Sequence, residues 1–161
     1  MLVSVNQAER EQIFEYWGGR FGVSSPALAK LRFLVRGRNV WAVTDLEGLD
    51  DALGSLKVEA AGVPFLRSQR HMWKPTTAAL LFLDAAVTKN VVDLTGEQLQ
   101  PFLRGEMLLG PFVVDGGYVA IRYEEKMLGC ALYGKAGLKS QLPRAWVAVL
   151  RGGKPEMAEE W

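Results

Sequence analysis

The 161-residue chain has one cysteine and one histidine, and that scarcity excludes much chemistry. Cys130 by itself cannot close an internal disulfide, and Cys130 with His71 falls short of a zinc ligand set. Long apolar runs are also missing. The stretch Ala78–Ala86 is far below the ~20 residues a membrane helix needs, and Asp84 interrupts it. The N-terminus does not have the basic-then-apolar order of a secretory signal. These absences predict a soluble, cytoplasmic protein without a membrane partner.

Phosphate-cradling glycine motifs are absent as well. Neither Gly-x-Gly-x-x-Gly nor a Walker sequence occurs, and Gly116-Gly117 reads as a hairpin turn. The chain lacks the repeated strand–helix units of a nucleotide-binding sheet. No serine or cysteine elbow accompanies His71, and Cys130 lies in the apolar run Leu128–Leu132, where a buried, inert thiol is expected. Asp93, Glu97 and Glu106 have structural explanations at a strand end and a helix start. The expectation is therefore no catalytic residue, no metal and no cofactor: a protein that is not an enzyme.

What is present is a core and a localised charge. A hydrophobic fraction of 49% and five tryptophans suffice for a folded domain. The net charge of +1 hides an uneven distribution. Residues 1–62 are near neutral, and residues 76–125 carry three basic against seven acidic side chains. Residues 63–75 hold Arg67, Arg70 and Lys74 with no acid, and residues 126–154 hold Lys126, Lys135, Lys139, Arg144, Arg151 and Lys154, again with none. Residues 155–161 are acidic through Glu156, Glu159 and Glu160. Acid-free basic segments suit a phosphate-binding face, and a merely solvated surface is the alternative.

Local signals then set the elements. Asn6 and Glu9 form a capping box for a helix with Ile13, Phe14 and Trp17 on one face, stopped by Gly18-Gly19. Ser25-Pro26 starts a second, short helix. Leu31–Val35 and Asn39–Thr44 read as a hairpin turning through Arg36-Gly37-Arg38-Asn39. A short helix over Leu46–Leu53 and strands near Leu56–Ala60 and Val63–Ser68 follow. Pro75 opens a helix to Ala86, although Thr76–Phe82 also fits a strand. Asn90–Leu94 is a strand, and Thr95 with Gln98 caps a short helix ending near Leu103. Beyond it, Phe112–Val114, Tyr118–Tyr123, Met127–Tyr133 and Trp146–Leu150 read as short strands, as in a small barrel.

The second half resembles a PUA domain. The resemblance rests on Phe102–Leu108 with Gly105, on Pro111-Phe112-Val113, on Gly117–Tyr123 and on Leu128–Leu132. The order Lys74-Pro75-Thr76, Val91–Leu94, Leu103–Glu106, Gly117–Val119, Leu128-Gly129 and Gly137–Arg144 is similar to the C-terminal region of Nop/Sun-type RNA cytosine carbon-5 methyltransferases. The two-part plan also resembles small archaeal and eukaryotic factors of large-ribosomal-subunit assembly. The resemblance implies an α+β chain, with a pre-PUA α/β domain over residues 1–90 packed on a PUA-like β-barrel with a basic arm over residues 91–161. It lacks the catalytic domain and paired cysteines of those methyltransferases, so it implies their RNA-docking part alone.

The expected partner is structured RNA, ribosomal or transfer, in ribosome biogenesis or RNA modification. Lys139 and Arg144 lead the expected contacts on the arm Lys135–Arg144, with Lys126 and Arg151 in support. A second segment offers Arg67, Arg70, His71 and Lys74, with Trp73 either stacking on a base or buried. The alternative is an adaptor, or a trans-acting subunit for an RNA methyltransferase, that docks on a modifying enzyme or pre-ribosomal particle.

Overall fold

A computed structural model describes residues 2–55, 61–70 and 72–152. The chain divides into two compact units, Met1–Lys89 and Asn90–Trp161, each with its own sheet. The architecture is mixed α+β, with two sheets and six α-helices among the described residues.

In the first unit, α1 (Gln7–Phe21) starts at the expected capping box, where Asn6 accepts from Glu9 N and Glu9 returns to Asn6 N. It does not stop at Gly18-Gly19. Two exposed or half-exposed glycines weaken a helix by about 1 kcal/mol each, which packing of Trp17 and Phe21 offsets. The stop is Gly22, whose φ of 64° is left-handed. Ile13, Trp17 and Phe21 recur every four residues and bury one stripe. That stripe meets Phe33 and Phe65, with ring centroids 5.1 Å apart for Trp17–Phe65 and 5.5 Å for Phe33–Phe65.

The sheet under α1 is β1 (Val3–Ser4), β2 (Leu31–Arg36), β3 (Asn39–Thr44), β4 (Val63–Gln69) and β5 (Met72–Pro75), antiparallel throughout and ordered as in sequence. Between them, α2 (Ser25–Leu28) begins one residue earlier than expected, with Ser24 as its cap, and α3 (Leu49–Ser55) is shifted from Leu46–Leu53. The segment Met72–Pro75, which carried no strand expectation, is the edge strand β5. Pro75 therefore ends a strand and the helix α4 (Thr77–Leu83) starts after it, with Thr76 accepting from Ala79 N at 3.0 Å. A 3-10 turn over Asp84–Ala86 completes the run. The strand expected near Leu56–Ala60 lies outside the described residues.

The second unit holds β6 (Val91–Asp93), α5 (Gly96–Leu103), β7 (Gly117–Tyr123), β8 (Lys126–Gly134), β9 (Gly137–Ser140) and α6 (Arg144–Leu150). The sheet order is β6-β7-β8-β9, with β6 parallel to β7 and the rest antiparallel. The Thr95–Gln98 capping box forms as expected. One sheet face buries Val92, Val119, Ile121, Ala131 and Leu138 against Phe102 and Leu103 of α5. The expected barrel does not close among the described residues. Phe112–Val114 forms no strand: the Phe112 N–H donates to the Tyr133 phenol oxygen at 3.2 Å. Its ring and Val114 still pack on the core as a strand's side chains would. Trp146–Leu150 is helical, placing Leu150 against the core, and the Trp146 indole donates to Leu128 O at 2.7 Å. Apolar residues there read equally as strand, and packing onto an existing sheet selected the helix.

Candidate nucleic-acid interface

The basic arm runs through a hairpin turn and β9, then through Gln141, Leu142 and Pro143 to the first residue of α6. Gly134 and Gly137 pair across a two-residue hairpin turn, Lys135-Ala136, so Lys135 stands at the tip joining β8 to β9. Lys139 lies on β9, opposite Leu132, which in turn lies opposite Tyr118. Alternation along a strand puts this row on the face away from Leu138 and the core. Lys139 is exposed, and burial pushes the neighbouring Tyr118 phenol above its ordinary pKa, with a smaller contribution from Cys130.

Arg144 opens α6 and Arg151 caps its end. Seven residues are nearly two turns, so both project from one side of the helix roughly 10 Å apart along its axis. Lys135, Lys139, Arg144 and Arg151 are all exposed, and none forms an ion pair with another described residue. The turn, β9 and α6 follow one another without an acidic residue.

Lys126 does not join them. It starts β8 at the end opposite Gly134, roughly 26 Å away at ~3.3 Å per residue, and follows Glu124 and Glu125 in the β7–β8 turn. Two adjacent carboxylates make that turn a poor phosphate site. Arg104 is used structurally, its Nε 2.6 Å from Glu106 Oε2 beyond the end of α5.

In the first unit, Arg67 pairs with Lys74 across β4–β5, and Asn39 pairs with Arg67 across β3–β4. Arg36 pairs with Asn39. Arg36, Asn39, Arg67 and Lys74 thus form one row on one face of four strands. Arg70, with φ of 46°, turns the β4–β5 hairpin, and His71 lies outside the described residues. Trp73 pairs with Ser68 and so faces the opposite way from Arg67 and Lys74, half-buried in a surface groove with Tyr16 and Arg20. The pleat separates the aromatic from the cations that adjoin it in sequence.

Arg36 and Arg38 escaped the sequence-based selection. The signal existed: residues 16–44 hold five basic side chains and no acid. Counting over residues 1–62 pooled that stretch with the carboxylates at the start of α1 and around α3.

Among the described residues, no group of three His, Cys, Asp or Glu could hold a metal ion, and no helix is long and apolar enough to cross a membrane. Cys130 is 1% exposed within β8.

Residues 89–148, a little over a third of the chain, match the family described as the methyltransferase RsmF PUA domain. The match spans β6 through most of α6 and includes Lys135, Lys139 and Arg144. No curated protein matches the chain.

Proposed function

Taking the chain as a PUA-domain protein related to the C-terminal regions of Nop/Sun-type RNA methyltransferases, we propose that it binds structured RNA, ribosomal or transfer, as a non-catalytic docking protein in ribosome biogenesis or RNA modification. The first unit acts as its pre-PUA domain, and the work is done in the cytoplasm. The observation that carries the reading is a run of exposed cations, Lys135 to Arg151, with no acidic residue between them in the chain, on a unit that matches an RNA methyltransferase's PUA domain. Lys135 at the hairpin tip, Lys139 on β9 and Arg144 and Arg151 on α6 present cations from rigid elements, which suits recognition of duplex RNA by shape and phosphates.

The test is binding of a stem-loop RNA with a single-stranded 3′ end across a salt series. Lys139→Glu with Arg144→Glu is expected to weaken binding at least ~10-fold, and to cut the slope of log affinity against log salt by about 2, one for each phosphate contact. Sequence changes in the RNA should alter this loss little, because phosphate contacts carry no base information. An unchanged slope would sink the assignment of this edge.

The match to a methyltransferase domain also favours a second reading, a trans-acting subunit that docks RNA for an RNA methyltransferase. Affinity capture that retains such an enzyme after nuclease treatment would favour it over RNA docking alone.

A further inference from the structure

The strand register of the first unit brings together cations that are far apart in the chain. The β2–β3 turn and the β4–β5 turn sit at the same end of the sheet, because β3 and β4 run antiparallel and Asn39 pairs with Arg67. The two turns are tied directly, with Ser68 N donating to Arg38 O at 2.8 Å. Arg38 and Arg70 occupy the turns, and the Arg36–Asn39–Arg67–Lys74 row runs just inside them. Residues 31–44 and 63–75 contain no acidic residue, so no carboxylate lies on β2, β3, β4, β5 or in either turn.

We infer that this end of the five-stranded sheet is a second RNA-backbone site, in which Arg38, Arg67 and Arg70 hold phosphates beside the Arg36–Lys74 row. Three steps between strands at ~4.8 Å make the row roughly 14 Å long. Four of the five cations are arginines, whose planar guanidinium forks match phosphate oxygens two at a time. Arg38, Arg67 and Arg70 are exposed and require no rearrangement to meet a backbone. Trp73, on the other face, takes no part, so the site holds phosphates without stacking a base and discriminates little between sequences.

This inference deepens the reading of RNA binding by adding a contact in the other unit, and it rests on that reading. The test uses the full chain and the same stem-loop RNA with a single-stranded 3′ end. Arg38→Gln with Arg67→Gln is expected to lower the salt slope by about 2. Its fold-loss in affinity should multiply with that of Lys139→Glu/Arg144→Glu, as for independent contacts. Arg38→Lys with Arg67→Lys keeps the charges and should restore most of the slope. An unaltered slope in the glutamine variant, while the Lys139/Arg144 variant loses binding, overturns the second site and leaves the proposed function standing. A lysine variant whose salt slope falls as far as the glutamine variant's also overturns it, because lysine keeps the charge that a phosphate contact would neutralise. Absence of RNA binding by the unaltered chain removes both.

Discussion

Alanine at Gly137 is expected to lower the unfolding temperature of the second unit by roughly 10–40 °C. Gly137 begins β9 immediately after the hairpin tip, buried, with φ of 131°. That backbone region is nearly closed to residues with a Cβ, and occupying it costs about 1–3 kcal/mol. A Cβ built there also collides with Leu108 O and comes within 3.0 Å of Met107 Cγ. Relief requires the Met107–Leu108 segment to move outward. Leu108 and Leu138 exchange both backbone hydrogen bonds, at 3.0 and 2.8 Å, so the movement breaks the bridge. Overpacking adds another 1–3 kcal/mol, for a total of about 2–6 kcal/mol. Thermal unfolding followed by near-UV circular dichroism measures it. Gly134→Ala is the control: it pairs with Gly137, yet nothing lies within 4 Å of a Cβ there and its φ is not left-handed. A melting temperature for Gly137→Ala within about 3 °C of the unaltered protein would refute the argument.

The second large effect is expected at Asn90, the first residue of the second unit. Its φ of 54° is left-handed, a conformation asparagine tolerates and most residues do not. It is 8% exposed, and its Oδ1 accepts from Asp115 N at 2.9 Å while its backbone O accepts from Ala120 N at 3.0 Å. One side chain thus holds the loop before β7 against the start of β6. Asn90→Ala loses the acceptor for Asp115 N and must enter the left-handed region with a Cβ. The first effect costs about 1–2 kcal/mol and the second about 1–2 kcal/mol. Asn90→Gly removes the hydrogen bond but suits the backbone, so it should lose roughly half as much. Chemical denaturation of the three proteins decides the matter. Equal losses for the alanine and glycine variants would show that backbone conformation contributes nothing.

In both arguments the constraint itself was not legible in the sequence, and the reason is the same. Gly137 and Asn90 are constrained by partners 29 and 25 residues away, Leu108 and Asp115, and no local pattern reports such a partner. Local signals did report local structure. The capping boxes at Asn6 and Thr95 formed because each is complete within four residues. The β2–β3 hairpin formed because its turn and both strands are contiguous. The misreadings fell where a short apolar run serves either state. Trp146–Leu150 became a helix, Met72–Pro75 became a strand, and Phe112–Val114 delivered core side chains from a loop.

The same division runs through the candidate interface. The sequence by itself determined the inventory: the absence of paired cysteines and nucleotide motifs, the acid-free basic stretches, and the order of motifs that marked a PUA domain. These are properties of composition and of residues adjacent in the chain. Only tertiary structure decided where each cation stands. It placed Lys126 at the far end of β8 from the hairpin tip and put Lys135, Lys139, Arg144 and Arg151 on a hairpin turn, β9 and α6. It turned Trp73 away from Arg67 and Lys74 and joined Arg38 to Ser68 across 30 residues of chain. Strand register and pleat make these choices, because a strand's neighbours are set by pairing with distant segments and its facing by a period of two.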